Sequence, residues 1–350
     1  MAKAYVKKTP AEKRQQIVEI TEKLDKELHN FMDSDKFKKF LKTMSKFHNY
    51  SFANTMLIAM QKPDSTLVAG FRAWETNFHR HVKKGEKGIK ILAPSPIKKT
   101  VEQEILDPNT NKPLLDADGN TLKEEVKVTI PNFHVVTVFD VSSTEGEPLP
   151  QIGVDELRGK VDGYKNIIKA VESISPVPVT YEQIDSGAKG YFSPSEQRIV
   201  VQKDMSELQT LKTFLHEIAH ALLHDKDGAR IEEIEDAQKK SRNTKEIEAE
   251  SIACVVAEYF GLDTSDYSFG YIAGWASSLE LKELKESMET IRKTASHMIT
   301  GIEDKLKEIV KDIDKSPKTI KDKLAEGELK KASQVLKQVN TERSKEQVIA

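Results

Sequence analysis

The first hundred residues begin with helical periodicity. Apolar residues recur every three or four positions after Pro10 and again after Asp33, which predicts two amphipathic helices. A third, shorter apolar helix is predicted over 51–61. The segment Thr9-Pro10-Ala11-Glu12 has the residues of a capping box, with proline at the first helical position. This region is therefore predicted to be a helical layer.

A different pattern follows, in which glycine and proline separate short runs of β-forming residues. We predict strands at 89–92, 126–130 and 134–139. The segment 146–150, Gly-Glu-Pro-Leu-Pro, has the composition of a domain linker. The pattern predicts an N-terminal α+β domain at 1–145.

The second half of the chain is predicted to be mostly helical around two short strands. The predicted helices lie near 154–173, from Ser206 to about His224, and from Asn243 or Thr244 to Gly261, with strands near 177–181 and 197–201. Beyond Tyr271 the pattern is helical throughout. We therefore predict an α+β chain with domains at 1–145 and 146–300 and a charged helical extension at 301–350.

Composition and charge narrow the class of protein. The 350 residues are 38% hydrophobic, enough for globular cores, but they contain no run of about 18 uncharged apolar residues, so no membrane partner is predicted. The basic N-terminal segment has no apolar stretch behind it, so we expect no secretory signal. A single cysteine, Cys254, is typical of a reduced, cytoplasmic protein.

Charge is distributed unevenly. Residues 1–100 contain 21 Lys and Arg against 10 Asp and Glu, a net charge of +11, whereas the other 250 residues carry −13. This asymmetry indicates either an acidic partner for the first domain or an ordinary solvated basic surface.

The strongest chemical motif is His216-Glu217-Ile218-Ala219-His220, inside a predicted helix. Histidines four residues apart lie one turn apart on the same face, where both imidazoles can chelate one zinc ion. Glu217 lies beside them, where it can accept a proton from an attacking water. The alternative is a helix with two surface histidines. His224 continues the same face, but it would lie about 12 Å along the axis from His216, too far to share one ion.

A catalytic zinc site requires a third protein ligand, and the next helix offers two carboxylates. Glu246 and Glu250 lie four residues apart, so one can bind zinc while the other orients a ligand imidazole. Both have ordinary alternatives: Glu246 as the capping-box partner of Asn243, and Glu250 as a partly buried, hydrogen-bonded acid. Cys254, one turn further, is interpreted as a buried small hydrophobe.

The first domain combines cations with aromatic residues, as single-stranded-DNA binders do. The residues predicted to contact DNA are Tyr50, Arg72, Trp74, Arg80, Lys83, Lys84, Lys87 and Lys90. Trp74 has the alternative of a core position, and Phe71 is interpreted as a core residue. Gly85 and Gly88 either shape a hairpin turn or let the backbone approach a phosphate.

Together these segments resemble a known family. The histidine motif followed by Glu246-x-x-Ala249-Glu250-x-x-Ala253 resembles the metallopeptidase domain shared by ImmA/IrrE-type proteins and ArdC-type antirestriction proteins. That resemblance implies that Glu246 is the third ligand. Glu250 matches the ArdC form, since the ImmA/IrrE form usually has Asn there. The segments 50–54, 68–74, 82–89, 139–146 and 271–275 are also similar to ArdC-type proteins.

The resemblance covers roughly residues 10–300 and implies a function. It implies a protein of conjugative elements that binds single-stranded DNA, protects it from restriction and carries a zinc metallopeptidase-like domain. Any protein substrate is left undefined, so enzymatic activity stays open. One alternative is an active endopeptidase that cleaves a regulatory or restriction protein. Another is a pseudo-enzyme whose metal stiffens a binding module, against which the intact Glu217 argues.

Overall fold

The computed structural model describes residues 9–107, 110, 112–115, 119–149, 163–223, 240–267 and 269–315. It confirms the predicted α+β class. The helices are α1 (Pro10–Leu28), α2 (Ser34–Lys46), α3 (Phe52–Gln61), α4 (Phe71–Phe78), α5 (Gly163–Ser173), α6 (Glu207–Leu223), α7 (Arg242–Tyr259), α8 (Ile272–Ser277) and α9 (Leu281–Lys315). The strands are β1 (Val68–Gly70), β2 (Arg80–Val82), β3 (Ile89–Pro94), β4 (Ile97–Glu104), β5 (Lys123–Ile130), β6 (Phe133–Asp140), β7 (Thr144–Gly146), β8 (Val179–Glu182), β9 (Gly190–Ser193) and β10 (Arg198–Gln202). Residues 154–162, His224 and the tail beyond 315 lie outside the described residues.

The predicted capping box at the first helix is confirmed. The backbone N–H of Thr9 donates to Glu12 Oε2 at 2.7 Å, and the N–H of Glu12 donates to Thr9 Oγ1 at 3.2 Å. These reciprocal bonds satisfy N–H groups that the first turn leaves unpaired. Helices α1 to α3 then bury Leu28, Phe40 and Met56 in the core.

A three-stranded antiparallel sheet in the order β1-β6-β3 packs on this helical layer. Ile89, Ile91 and Val138 are buried on the inner face, whereas Lys90 and its cross-strand partner Thr137 lie on the outer face. The alternation follows from the two-residue period of a strand.

Side-chain amides of α3 occupy the free edge of β3. Asn54 donates to and accepts from the backbone of Leu92, each at 2.8 Å, and Gln61 makes the same pair of bonds with Lys90, each at 2.9 Å. Open strand edges are sites of unwanted pairing, and these amides take the place of a further strand.

The second half contains a small mixed sheet in the order β8-β10-β9, in which β8 and β10 are parallel and β9 is antiparallel to β10. Helix α6 packs on β9 and β10, and α7 packs on α6. Ile199, Val200 and Val201 of β10 are fully buried. This arrangement fixes the histidine helix against a strand on one side and against a helix on the other.

One hydrophobic core joins the two halves of the chain. Helix α2 packs on α7, and α9 packs on α3, α5 and α7. Polar contacts cross the same boundary: Arg292 Nη1 donates to the carbonyl oxygen of His48 at 2.9 Å, and the N–H of Phe52 donates to Glu289 Oε2 at 2.8 Å. Within the described residues, no helix is both long and apolar enough to cross a membrane.

Candidate metal centre and DNA-binding surface

Two imidazoles converge on one face of α6. The Nε2 atoms of His216 and His220 are 3.0 Å apart, and the rings cross edge-on with centroids 4.6 Å apart. The spacing follows from helix geometry, because 3.6 residues per turn bring side chains four residues apart onto the same face. The apolar side of α6, which carries Phe214, Leu215 and Ile218, is buried and leaves the histidines facing α7.

Glu246 on α7 completes a triangle of donor atoms. Its Oε2 lies 3.6 Å from Nε2 of His216 and 3.6 Å from Nε2 of His220. Tetrahedral ligands bound at 2.0–2.1 Å lie roughly 3.3 Å from one another. Two imidazole nitrogens and a carboxylate at these separations fit a divalent metal ion, and these three residues form a metal-competent cluster within the described part of the chain.

Glu250 takes a different position from Glu246. Its Oε2 is 3.3 Å from Nδ1 of His216, on the far side of the ring from the metal-facing Nε2. Burial by itself lowers the pKa of His216, but the carboxylates of Glu246 and Glu250 outweigh burial and raise that pKa to about 10. The hydrogen bonds from the two imidazoles lower the pKa of Glu246. In the metal-free protein at neutral pH, the imidazole of His216 is therefore protonated and the carboxyl group of Glu246 is ionised.

Glu217 is buried between α6 and the edge strand β9. Burial raises the pKa of its carboxyl group, which accepts a hydrogen bond from the backbone N–H of Phe192. Gly190 makes this close approach possible. A Cβ atom there would lie 2.6 Å from Thr213 Cγ2 and 3.5 Å from Glu217 Cγ. The sequence analysis did not identify Gly190 or Phe192 as site residues, because neither side chain has a catalytic or metal-binding group.

The start of α7 corrects one sequence interpretation. Ser241 is the N-cap and its side chain accepts from the N–H of Thr244, so Asn243 is not the cap and Glu246 is not its capping-box partner. The indole N–H of Trp275 also donates to Thr244 Oγ1 at 3.0 Å. This turn, which precedes Glu246, is thus tied to α8.

A cleft of about 360 Å³ opens beside Glu217 and His216. Tyr267 and Lys212 form part of its wall, and the ammonium group of Lys212 lies 5.1 Å from the centre of the Tyr267 ring and pairs with Asp266. Burial raises the pKa of Tyr267, so its hydroxyl group stays protonated. The cleft is large enough to hold part of a bound peptide next to the metal-competent cluster.

The predicted role of Trp74 in stacking on DNA bases is corrected by the structure. The ring is 0% exposed, and its Nε1 donates to the carbonyl oxygen of Phe139 at 2.8 Å. Phe71, interpreted from the sequence as a core residue, is instead 54% exposed. Trp74 and Phe71 therefore lie in the opposite environments from those expected.

Two other predicted DNA contacts have structural partners. The guanidinium group of Arg80 donates to Thr144 Oγ1 at 2.8 Å and to the carbonyl oxygens of Thr144, Gly146 and Glu147, and so joins β2 to β7. The hydroxyl group of half-buried Tyr50 donates to the carbonyl oxygen of Val68, and burial raises its pKa. Both side chains therefore have a structural role that does not require DNA.

The remaining predicted DNA contacts lie on the surface. Arg72, Lys84, Lys87 and Lys90 are exposed, and Lys83 is partly buried. Lys83, Lys84 and Lys87 lie in the turn between β2 and β3, where Gly85 has φ of +90° and Gly88 passes over the side chains of Thr137 and Phe139. Lys90 follows on β3, and Arg72 lies on α4.

Two family models match the chain. The N-terminal domain of anti-restriction factor ArdC matches residues 8–139, and the IrrE N-terminal-like domain of peptidase family M78 matches residues 174–299.

The curated relatives described next share less than 30% sequence identity with this chain. An uncharacterized protein of Bacillus anthracis is 28% identical over 356 residues, which cover 90% of this chain and 56% of the relative. A DNA primase TraC of Escherichia coli is 27% identical over 223 residues, which cover 61% of this chain and 14% of the primase. The chain thus spans about half the length of the first relative and a small part of the second.

Solved structures with a similar course of the chain include the antirestriction ArdC protein from plasmid R388. Its metal-free crystal structure has a TM-score of 0.44 and 21% identity, and covers 74% of this chain and 86% of that chain. Its Mn(II)-bound structure has a TM-score of 0.41 and 18% identity, and covers 73% and 85%.

Proposed function

We propose that this chain, which belongs to the ArdC-type antirestriction family, binds single-stranded DNA of a conjugative element and protects it from restriction. We assign DNA binding to residues 1–145, a zinc metallopeptidase-like unit to 146–300 and a charged extension to 301–350, of which residues 301–315 belong to α9. The two family matches, at 8–139 and 174–299, lie on either side of the proposed boundary and support it.

Zinc is the metal we propose for the cluster on α6 and α7, with His216, His220 and Glu246 as ligands. The observation that carries this assignment is the donor triangle of 3.0, 3.6 and 3.6 Å. Two imidazoles and one carboxylate are the ligand set of many catalytic zinc sites, which keep a fourth position open. Bound there, zinc supplies a Lewis acid that polarises a carbonyl group and lowers the pKa of water.

The neighbouring carboxylates have separate tasks in this proposal. Glu250 holds the Nδ1 side of His216 and so keeps Nε2 directed at the metal position. Glu217 is the proton acceptor, because burial raises its pKa towards neutrality and the N–H of Phe192 fixes its carboxyl group.

DNA binding is supported by charge and by exposure. The net charge of +11 on residues 1–100 attracts a polyanion, and the exposed Arg72, Lys84, Lys87 and Lys90, together with Lys83, are placed to contact phosphates. We do not include Trp74, Arg80 or Tyr50 among the proposed DNA contacts, because each side chain donates hydrogen bonds within the protein.

The decisive experiment measures zinc content and DNA binding on one preparation of the full chain. We expect one zinc per chain, and binding to an oligothymidylate that weakens with salt at a log–log slope of about −0.7 per phosphate contact. The variant Lys84→Glu/Lys87→Glu should bind more weakly and with a flatter slope. Its charge-matched control, Lys282→Glu/Lys305→Glu on α9, should bind like the wild type. If both variants lost DNA affinity equally, binding would depend on the overall charge of the protein and not on a site at Lys84 and Lys87.

Endopeptidase activity is a second candidate function, favoured by the cleft beside Glu217. Its substrate would be a regulatory or restriction protein held near the DNA. Incubating the zinc-loaded chain and its Glu217→Gln variant with a denatured-protein library, then sequencing new termini, tests it. Termini that appear equally with both proteins would reject this activity.

A further inference from the structure

The first domain has an exposed aromatic ring at the start of α4, next to Arg72 in the chain. Phe71 is the first residue of α4 and is 54% exposed. Its ring meets that of Phe139 edge-on, with centroids 6.2 Å apart and an interplanar angle of 72°. The two rings form one aromatic surface, and Phe71 supplies its open part.

The outer face of the sheet extends this aromatic surface. Thr137 and Phe139 are two residues apart on β6, so their side chains lie on the same face as Lys90, the cross-strand partner of Thr137. A Cβ atom at Gly88 would lie 2.1 Å from Thr137 Cγ2 and 3.1 Å from the Phe139 ring. The backbone at Gly88 therefore rests directly on this face and raises no side chain above it.

Three cationic residues lie on or next to the segments that form this aromatic surface. Arg72 follows Phe71 in the chain, Lys87 precedes Gly88, and Lys90 lies on the same sheet face. Glu86, an acidic residue of the same turn, accepts a hydrogen bond from the hydroxyl group of Ser143 at 2.7 Å, which holds its carboxylate at the β7 side. Glu75, four residues after Phe71, is an acidic residue on the same face of α4 as the ring.

We propose that a nucleobase of single-stranded DNA stacks on Phe71 while Arg72, Lys87 and Lys90 contact the flanking phosphates. This inference rests on the DNA-binding function proposed above and identifies its stacking residue. A flat, exposed ring accepts any base, because every base has a π face, but only if that base is unpaired. Phe71 thus accounts for a preference for single strands that cationic side chains alone do not provide.

The test compares two phenylalanine variants of the full chain. Phe71→Ala should weaken binding to an oligothymidylate of about 15 nucleotides by roughly 5- to 150-fold, the range that one stacked base contributes. The salt slope should stay at the wild-type value, because no phosphate contact is lost. The matched control is Phe133→Ala: Phe133 is 46% exposed on the same strand and face, but six residues at about 3.3 Å each place it about 20 Å from Phe139, so this variant should bind nearly like the wild type.

A second probe separates stacking from folding. An abasic oligonucleotide of the same length keeps the phosphates and removes the bases, so the wild type should bind it more weakly than oligothymidylate, and Phe71→Ala should bind the two nearly alike. Phe71→Trp should restore the difference. If Phe71→Ala binds oligothymidylate as the wild type does, stacking on Phe71 is rejected and DNA binding stands. If the wild type binds no single strand at low salt, the proposed function itself is rejected, and this inference with it.

Discussion

The indole N–H of Trp74 donates to the carbonyl oxygen of Phe139 at 2.8 Å, and the whole ring is buried. The hydrogen bond ties α4 to the end of β6. It makes Trp74 a structural residue and leaves Phe71, three positions earlier, as the exposed aromatic residue of the same helix.

This relationship predicts opposite consequences for the two rings. Trp74→Ala should lower the free energy of unfolding by about 3–5 kcal/mol, because it removes a fully buried aromatic side chain. Phe71→Ala should change it by less than about 1 kcal/mol, because that ring is mostly exposed. Thermal melts of both variants measure the difference, and equal melting temperatures would contradict the assignment.

The ligand assignment predicts different metal contents for three variants. His216→Ala and Glu246→Ala should lose stoichiometric zinc after dialysis, because each removes one corner of the donor triangle. Glu250→Ala should keep the site but bind zinc about 10- to 100-fold more weakly, since it removes only the support of His216 Nδ1. Elemental analysis and chelator competition measure both. Loss of metal in Glu250→Ala with retention in Glu246→Ala would exchange the two roles.

Glu217→Gln should separate metal binding from proton transfer. The amide has nearly the same shape, so zinc content and DNA affinity should match the wild type. Any cleavage found for the wild type should fall by roughly 10²- to 10⁴-fold, the usual contribution of a positioned general base. Retention of the full cleavage rate would remove Glu217 from the mechanism.

Metal affinity should depend on pH through His216. With its pKa raised to about 10, the metal-free ring carries a proton at neutral pH that a bound metal must displace. Zinc affinity should therefore keep rising, by about tenfold per pH unit, from pH 7 to 8. A histidine with the ordinary pKa of about 6.5 would give little further increase in that interval. Chelator competition at each pH distinguishes the two, and a plateau above pH 7 would refute the raised pKa.

Gly190 should be more sensitive to substitution than an open glycine. Gly190→Ala places a Cβ atom 2.6 Å from Thr213 Cγ2 and 3.0 Å from the carbonyl oxygen of Val200, so it should cost about 1–3 kcal/mol of stability. Gly274→Ala, at an exposed position of α8 with open space around it, should be neutral or stabilising by up to about 1 kcal/mol. Calorimetry of the two variants tests this contrast, and a Gly190→Ala protein as stable as the wild type would contradict it.

Local patterns predicted part of the secondary structure but missed α4, β1, β2, β4, β7 and β9. The capping box at Thr9, the strands at 89–92, 126–130 and 134–139, and the end of α7 before Gly261 appear where periodicity and turn residues place them. The pairing of His216 with His220 was likewise predictable, because a helix brings residues four apart together whatever surrounds it. These features depend on backbone geometry within a few residues.

Tertiary packing decided what the local pattern left open. Glu246 and Glu250 share a face of α7, and only the packing of α7 on α6 sets one against Nε2 and the other against Nδ1 of His216. Likewise, the eight-residue α4 has aromatic residues on more than one side, so its contacts with β1, β2 and β6 determine that Trp74 is buried and Phe71 is exposed. The partners of Arg80 lie more than sixty residues away in β7 and just beyond it. Helical spacing orders side chains along one element, but which face is covered depends on what packs against it.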